Sequence, residues 1–268
     1  MIEILDLVKT YDGFAAVDGL SLTVGGGEIV GLVGPNGAGK TTTLRCLAGI
    51  LPPTAGRIAV DGYDIEAQPV EARRRLAFVP DEPRLFDNLT VADHVKVIGR
   101  IYGVQDAPER SRQLLAAMEL ADRTTAFPAE LSRGMKQKLM IALALLHRPA
   151  ALILDEPLTG LDPGAIRRMK RTIVEQARAG TAVLVSSHLL ALVQEICGRV
   201  VIVQRGRQVL AGTLGEIRAA LPDLDADADL EEIFLRATEG SEAPEAAGGA
   251  GRAGADGASG PAGGESGR

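Results

Sequence analysis

Short apolar runs alternate with helical patterns along most of this chain. The runs predicted to be strands are Ile2–Val8, Ser21–Val24, Glu28–Val33, Arg57–Val60, Leu76–Val79, Ala151–Leu154, Ala182–Ser186 and Val200–Val203. Several of them are apolar without interruption, which is typical of strands buried on both faces of a parallel sheet. Helical patterns follow Lys40, Pro163 and His188. This alternation of strand and helix predicts an α/β fold.

The pattern changes between Phe86 and Arg148, where strand signals are missing. Apolar residues there recur at helical spacing in Val91–Ile101, Arg110–Leu120 and Met135–Leu146. We therefore predict an all-helical insertion over residues 86–148 within an α/β core of residues 1–85 and 149–220. Acidic residues followed by Ile-Phe-Leu predict a short C-terminal helical extension over residues 221–240, within which the run Asp223–Leu235 forms a helix docked on the core.

Composition separates the C-terminal segment from the rest of the chain. Residues 241–268 are rich in Gly and Ala and contain no Val, Ile, Leu, Met, Phe or Tyr, which predicts a disordered tail. The whole chain of 268 residues is 46% hydrophobic, enough for a substantial core, so a wholly disordered protein is excluded. Its formal net charge of -6 provides no basic field, which disfavours nonspecific binding to nucleic acid.

Two further features bear on the compartment. Cys46 and Cys197 lie far apart without the spacing of a zinc site or disulfide framework, as expected in a reducing compartment. The N-terminus lacks a basic segment followed by an apolar one, so we expect no secretory signal. The apolar stretch Leu139–Leu146 is far shorter than the roughly 18 residues that span a bilayer. We therefore predict no direct membrane span.

A glycine-rich motif from Gly34 to Thr41 matches GxxxxGK[ST] and directly follows the predicted strand that ends at Val33. Such a turn at a helix N-terminus directs several backbone N–H groups into one concavity, which suits phosphate. In this arrangement Lys40 reaches the β- and γ-phosphates, Thr41 ligates Mg²⁺ and Thr42 donates to a phosphate. A chance match is the alternative, and the flanking strand and helix disfavour it. The other predicted binding residues of the motif are Gly34, Pro35, Asn36, Gly37, Ala38 and Gly39.

Two carboxylates end the apolar run Ala151–Leu154, and a histidine closely follows the run Ala182–Val185. At the carboxyl edge of a parallel sheet, Asp155 would stand beside the Gly34–Thr41 motif, the predicted phosphate loop, and hold Mg²⁺ through water. Glu156 is positioned to polarise an attacking water. The alternative is that the two acids only cap the end of the strand. The presence of the phosphate loop in the same chain disfavours this alternative. For His188, the spacing alone leaves a structural and a functional role equally open.

These motifs, together with the heptapeptide LSRGMKQ at residues 131–137, resemble those of the ATP-binding subunits of ABC transporters over about residues 2–215. The resemblance implies a P-loop NTPase (RecA-like) core, an N-terminal antiparallel β subdomain and an all-helical insertion that carries the signature. It implies that Gly34–Thr41 is the Walker A motif and that Leu152–Asp155 is the Walker B motif. Glu156 is then the catalytic carboxylate, His188 the switch histidine and Tyr11 the residue that stacks on adenine. Ser132 and Gly134 contact the γ-phosphate bound by a second subunit, and Leu161 and Asp162 form the D-loop.

Two departures from the family pattern stand out. The usual LSGGQ signature reads LSRGM here, so that Arg133 adds charge near the phosphates and Met135 replaces the glutamine. This variant resembles subunits of the ABC-2 type exporter branch. Asp81 stands where the family has its Q-loop glutamine, and an ionised carboxylate offers only acceptor oxygens. Since such oxygens suit a hard cation, Asp81 is a predicted metal ligand.

The resemblance implies a Mg²⁺-dependent ATPase that binds ATP, dimerises head to tail with a second nucleotide-binding subunit and drives a separate integral membrane permease, preferably for export. It places the protein at the cytoplasmic face of the membrane, without a nucleic-acid partner. One alternative is a nucleotide-controlled regulatory subunit in which Asp81 makes hydrolysis slow. Another is a soluble relative acting on ribosomes or in DNA repair, although such proteins fuse two domains or carry long coiled coils.

Overall fold

The computed structural model describes residues 1–221, 225 and 227–239. Within them the strands are β1 (Ile2–Tyr11), β2 (Phe14–Val24), β3 (Ile29–Val33), β4 (Ala55–Val60), β5 (Tyr63–Asp64), β6 (Leu76–Val79), β7 (Ala151–Asp155), β8 (Ala182–Ser186), β9 (Arg199–Gln204) and β10 (Arg207–Gly212). The helices are α1 (Lys40–Leu47), α2 (Pro69–Arg74), α3 (Val91–Ile101), α4 (Ala107–Ala117), α5 (Arg133–Leu146), α6 (Pro163–Arg178), α7 (Leu190–Ile196), α8 (Leu214–Ala220) and α9 (Leu230–Glu239). The predicted tail over residues 241–268 lies outside the described residues.

The strands form two sheets. The smaller sheet is antiparallel with the order β2-β1-β4-β5, and the larger sheet has the order β10-β9-β3-β8-β7-β6. All neighbours in the larger sheet are parallel except β10, which runs antiparallel to β9. Every residue of β3, β7 and β8 is buried, as their continuous apolar runs predict. The predicted α/β core and N-terminal antiparallel subdomain are confirmed.

The central sheet separates two hydrophobic cores. Because successive side chains of a strand point to opposite faces, Ile153 packs into the core shared with the small sheet and α1, whereas Leu152 and Leu154 pack into the core shared with α3, α4, α5 and α6. A third cluster packs α7, α8 and α9 against β9 and β10. The helices between β6 and β7 thus contact one face of the central sheet, and the antiparallel sheet contacts the other.

The register of the large sheet determines where polar side chains meet. Leu32 in β3 and Asp155 in β7 both pair with Ser186 in β8, so the carboxyl ends of these three strands lie at one edge. The loops that follow the strands start from this edge, which is where ligands bind in open parallel sheets. The phosphate loop and the two strand-end motifs are therefore brought together by strand pairing.

Several elements differ from the apolar pattern. The hairpin strand β10, the short β5, the helices α2 and α8 and the first half of β2 carry weak periodic signals and were not predicted. Helix α4 begins and ends three residues before its predicted bounds, and Glu119, which follows it, has a left-handed φ of 56°. Helix α9 begins at Leu230, later than predicted. Among residues 1–221 and 227–239, every helix is too short or too polar to cross a membrane.

Arg110 ties two helices of the insertion together. Its side chain extends from α4 to the end of α5, where Nε donates to the carbonyl oxygen of Leu146 at 2.9 Å and Nη2 to that of Leu145 at 2.7 Å. The last carbonyl groups of a helix have no partners within it and carry negative partial charge. A half-buried guanidinium therefore stabilises this helix end.

Replacing Arg110 with Met is expected to lower the free energy of unfolding by about 1.5–3 kcal/mol, since charge-assisted hydrogen bonds to partly buried carbonyls are lost. The matched control is Arg112→Met on the same helix, because Arg112 is exposed and, among the described residues, bonds within α4 to Glu109 and the Pro108 carbonyl. That variant should stay within about 0.5 kcal/mol of the parent. Urea unfolding measures both values, and equal effects of the two variants would contradict the anchoring role.

Candidate functional site

The loop between β3 and α1 has a shape that requires glycine at two positions. A Cβ atom on Gly34 would lie 2.3 Å from the carbonyl oxygen of Val203 in β9. A Cβ atom on Gly39 would lie 2.3 Å from the carbonyl oxygen of Ala16 in β2, and Gly39 has a left-handed φ of 100°. Larger residues would push the loop away from both strands, so the glycines hold it tightly over the sheet edge.

Helix α1 presents a free N-terminus to this loop. Its N-cap is Gly39, and among the described residues no side chain caps it and none in its first turn is acidic. The first backbone N–H groups of a helix have no partners within it, and the helix dipole adds positive potential there. This end of α1 is therefore suited to bind an anion such as phosphate.

Lys40 lies at the same helix end and is only 8% exposed. Its ammonium group donates to the carbonyl oxygens of Gly34 at 2.7 Å and Pro35 at 3.1 Å. Burial lowers the pKa of Lys40 below its ordinary value, while the nearby carboxylates of Glu156 and Asp155 partly oppose that shift. The structure thus holds a buried cation over the loop with neutral carbonyl groups as hydrogen-bond partners.

The second strand-end motif is held by its neighbour β8. Asp155 is buried at the end of β7, and its Oδ1 accepts a hydrogen bond from the hydroxyl of Ser186 at 2.5 Å. Glu156 follows with a left-handed φ of 48°, a strained backbone conformation for a residue other than glycine. Its backbone N–H donates to the carbonyl oxygen of Ser186 at 3.1 Å. Strand pairing therefore fixes the position of both carboxylates.

Glu156 and His188 are in direct contact. Oε2 of Glu156 accepts a hydrogen bond from Nδ1 of His188 at 2.8 Å, and further bonds from the His188 backbone N–H at 3.3 Å and the Ser187 hydroxyl at 3.4 Å. The Glu156 side chain is mostly buried, whereas that of His188 is exposed. A buried carboxylate oriented by an exposed imidazole can polarise a water molecule at the mouth of the site.

A cavity of about 500 Å³ lies over the phosphate loop. It is lined by Phe14, Ala16, Asn36, Gly37, Ala38, Gly39, Lys40, Thr41, Thr42, Asp81, Glu156, Thr159 and His188. The structure therefore brings most of the predicted phosphate loop together with Asp81, Glu156 and His188. Other predicted site residues, which are Tyr11, Gly34, Pro35, Ser132, Gly134, Asp155 and Asp162, do not line this cavity.

Tyr11 and Phe14 face each other across a two-residue turn between β1 and β2. The turn residues Asp12 and Gly13 have φ values of 47° and 86°, as in the tight turns that join antiparallel strands. Lys9 places its ammonium group 5.2 Å from the centre of the Tyr11 ring, and Phe14 is 66% exposed beside the cavity. Sequence reasoning missed Phe14, although its position opposite Tyr11 across an Asp-Gly turn is a signal that could have found it.

The remaining predicted residues lie at two helix N-termini. The Ser132 hydroxyl accepts from the backbone N–H of Met135 at 3.2 Å and caps α5. Asp162 Oδ1 accepts from the backbone N–H of Ala165 at 2.9 Å and caps α6, and this bond lowers the pKa of Asp162. A Cβ atom on Gly134 would lie 3.3 Å from the side chain of Leu161, which precedes Asp162, so the N-termini of α5 and α6 adjoin.

The oxygen donors near the cavity fit magnesium bound together with a phosphate ligand. Among the described residues, no group of three or more His, Cys, Asp or Glu side chains forms a metal cage. Mg²⁺ is commonly bound by one or two carboxylates, with phosphate oxygens and water completing its coordination. The hydroxyl of Thr41 and the carboxylates of Asp81 and Asp155 are hard oxygen donors of this type.

Comparisons with known proteins agree with this geometry. A family model described as ABC transporter matches residues 17–159. The ABC-type transporter ATP-binding protein EcsA of Bacillus subtilis is 34% identical over 89% of this chain and 97% of its own length. The daunorubicin/doxorubicin resistance ATP-binding protein DrrA of Streptomyces peucetius is 36% identical over 82% of this chain and 67% of its own. A solved ATP binding subunit of an ABC transporter superposes with a TM-score of 0.85 at 36% identity, covering 89% of this chain and 99% of that one.

Proposed function

Because this chain belongs to the ABC transporter family as an ATP-binding subunit with ATPase activity, we propose the following roles for its residues. The backbone of residues 34–42 and the ammonium group of Lys40 bind the triphosphate of ATP. Thr41, Asp155 and Asp81 bind Mg²⁺, which neutralises charge on the phosphates when bound. The observation that carries the proposal is one cavity that contains the phosphate loop, Glu156 and His188.

Hydrolysis requires a water aligned with the terminal phosphate, and Glu156 is the residue that polarises it. The three hydrogen bonds to its Oε2 fix the carboxylate, and the contact with His188 links it to a residue at the cavity mouth. Phosphoryl transfer depends mainly on positioning and on stabilising negative charge. Lys40 and the N-terminus of α1 supply that stabilisation at the phosphates.

We assign the adenine to the hairpin between β1 and β2. Tyr11 provides a π-face on which the base stacks, and the exposed ring of Phe14 extends the same apolar surface towards the phosphate loop. Stacking depends little on the identity of the base, so this surface confers only modest selectivity.

A second ATP-binding subunit completes the site. Ser132 and Gly134 do not line the cavity of their own chain, and they lie at the N-terminus of α5, which within the described residues has no acidic side chain in its first turn. In a head-to-tail dimer these residues contact the γ-phosphate bound by the partner. Asp162, which caps the adjoining helix, lies beside them. A second copy of this chain or a related subunit serves as the partner.

We place this chain at the cytoplasmic face of the membrane as a peripheral subunit. There it transmits the conformational change driven by ATP to an integral membrane permease. A groove between the loop after β6 and the helical insertion provides the contact, and Phe86, which is 64% exposed, lies at its edge. Arg84 and Leu85, which line the groove, follow Asp81 closely in the same loop, so contact there can respond to the nucleotide. Similarity to a subunit whose name denotes drug resistance favours export.

Mixing two inactive variants tests the composite dimer. Glu156→Gln removes the proposed base, and Ser132→Asp keeps a helix cap while placing a negative charge against the partner's phosphate. Each homodimer should be inactive. Since a mixed dimer keeps one intact site, equimolar mixing should restore roughly a quarter of the parental rate of phosphate release. If mixed dimers form by native mass spectrometry and the rate stays at background, the head-to-tail arrangement of this chain is wrong.

A further inference from the structure

Two residues that depart from the family pattern contact each other. Nη2 of Arg133 donates to Oδ1 of Asp81 at 3.3 Å, across 52 positions of sequence. Asp81 lies in the loop after β6, and Arg133 is the first residue of α5. The side chains are 48% and 55% exposed, and pairs of this kind contribute little to folding stability. The pair joins the core to the helical insertion through a contact that other charges can displace.

Arg133 needs a nearby anion. A positive charge in the first turn of a helix opposes the helix dipole, and among the described residues no acidic side chain lies in the first turn of α5. The guanidinium arm also covers Gly160, where a Cβ atom would lie 3.6 Å from Arg133 Cδ. Arg133 therefore links the loop after β6 with the segment that leads into α6. Asp81 supplies the negative charge that offsets its position.

Asp81 also lines the cavity over the phosphate loop, together with Glu156 and His188. Its carboxylate thus has two possible cationic partners, which are Arg133 and a magnesium ion bound with phosphate. Arg133 has two possible anionic partners, which are Asp81 and a phosphate that faces the N-terminus of α5. The arrival of magnesium and nucleotide offers both members of the pair a new partner at the same time.

We propose that Asp81 and Arg133 form an exchangeable ion pair, which, in addition to the apolar packing, restricts the orientation of the helical insertion relative to the core without nucleotide and which Mg-nucleotide opens. The Asp81 carboxylate would then help to bind the metal, and the Arg133 guanidinium would contact the γ-phosphate bound by a second copy of the chain. Both are positioning residues. The inference rests on the proposed function for its second half, whereas the nucleotide-free pairing stands on the observed contact alone.

Spin labels can measure the position of the insertion in the full chain. Arg112→Cys on α4 and Arg171→Cys on α6 place labels at exposed positions of the insertion and the core. Burial raises the pKa of Cys46 to about 11 and that of Cys197 to about 12, so the native thiols react slowly at neutral pH. The distribution of distances between the two labels, measured by pulsed electron paramagnetic resonance, then reports how firmly the insertion is held relative to the core.

Without nucleotide, Asp81→Asn and Arg133→Gln should each broaden the distance distribution, and 1 M salt should broaden that of the parent. The salt effect follows because charges are screened beyond about 3 Å at that ionic strength. Mg²⁺ with a non-hydrolysable ATP analogue should broaden or shift the parental distribution, and the analogue with a chelator should not. The matched control is Asp106→Asn, since Asp106 and Arg148 form a similarly exposed pair away from the cavity. This control should keep the parental response to nucleotide.

The charge swap Asp81→Arg with Arg133→Asp separates exchange from a purely structural role. It should restore the narrow nucleotide-free distribution and yet abolish the response to Mg-analogue, because the charges now repel the metal and the phosphate.

Three results would overturn the inference. The first is a nucleotide-free distribution that is unchanged in both single variants, and the second is a swapped variant that responds to nucleotide like the parent. The third is a parent that fails to respond to the Mg-analogue. None of these measurements uses hydrolysis. Absence of phosphate release would therefore count against the proposed function and leave the test of the ion pair intact.

Discussion

Replacing Glu156 with Gln is expected to lower steady-state phosphate release from Mg-ATP by about 100- to 10,000-fold, the range contributed by a positioned general base. The amide keeps the shape of the carboxylate, and its oxygen can still accept the hydrogen bond that His188 donates at 2.8 Å. It lacks the negative charge that polarises water. The cavity and the phosphate loop should otherwise stay as they are, so the affinity for ATP should be maintained.

Two measurements make this prediction specific. Equilibrium binding of ATP to the Glu156→Gln variant separates loss of chemistry from loss of binding. The matched control is Glu175→Gln on α6, because Glu175 is exposed and, in the part of the chain that the structure describes, pairs with Arg171 one helical turn earlier. That variant should hydrolyse ATP like the parent. A parent that releases phosphate no faster than Glu156→Gln would show that this carboxylate does not carry the reaction.

Replacing Lys40 with Met is expected to weaken ATP binding by about 10- to 150-fold, which corresponds to the loss of charge-assisted hydrogen bonds. The same change should not lower the stability of the nucleotide-free protein. Lys40 is buried at the positive N-terminal end of α1, its amine donates to the neutral carbonyl groups of Gly34 and Pro35, and burial lowers its pKa. The folded chain therefore bears a cost for this charge, which nucleotide phosphates remove.

The pH dependence of the free energy of unfolding tests whether the charge on Lys40 destabilises the folded chain. Because the pKa of Lys40 is lowered in the folded state from its ordinary value of 10.5, the unfolded chain binds more protons between the two values. The parent should thus gain stability relative to Lys40→Met as the pH rises towards 10.5. Lys96→Met is the control, since Lys96 is an exposed residue of α3. A Lys40→Met variant that is less stable than the parent and binds ATP normally would contradict the assignment.

The shape of the glycine-rich loop could be predicted from the sequence because its signals are local. Gly34 and Gly39 stand within one turn, and the structure shows the two close approaches that require them. Apolar runs without polar interruption likewise predict buried parallel strands, and β3, β7 and β8 are buried throughout. In such cases one short segment contains the recognisable pattern, although the carbonyl groups that exclude a Cβ atom at Gly34 and Gly39 belong to β9 and β2.

Contacts between distant segments could not be read in this way. Glu119 accepts hydrogen bonds from Lys138 at 2.8 Å and Arg168 at 2.6 Å and so joins α5 to α6, but the surrounding sequence contains no pattern that indicates it. The bond between Ser186 and Asp155 depends on the register of β7 and β8. Single charged residues acquire these partners only when the sheet assembles.

The two cores on opposite faces of the central sheet have a consequence for how such a subunit can change over evolutionary time. The helices that contact one face and the antiparallel strands that contact the other meet chiefly through the shared strands, as the alternation of Leu152, Ile153 and Leu154 shows. Mutations that change the packing of the insertion therefore leave the core behind the antiparallel sheet largely undisturbed. Sequence changes in one core can therefore accumulate while the packing of the other core is kept.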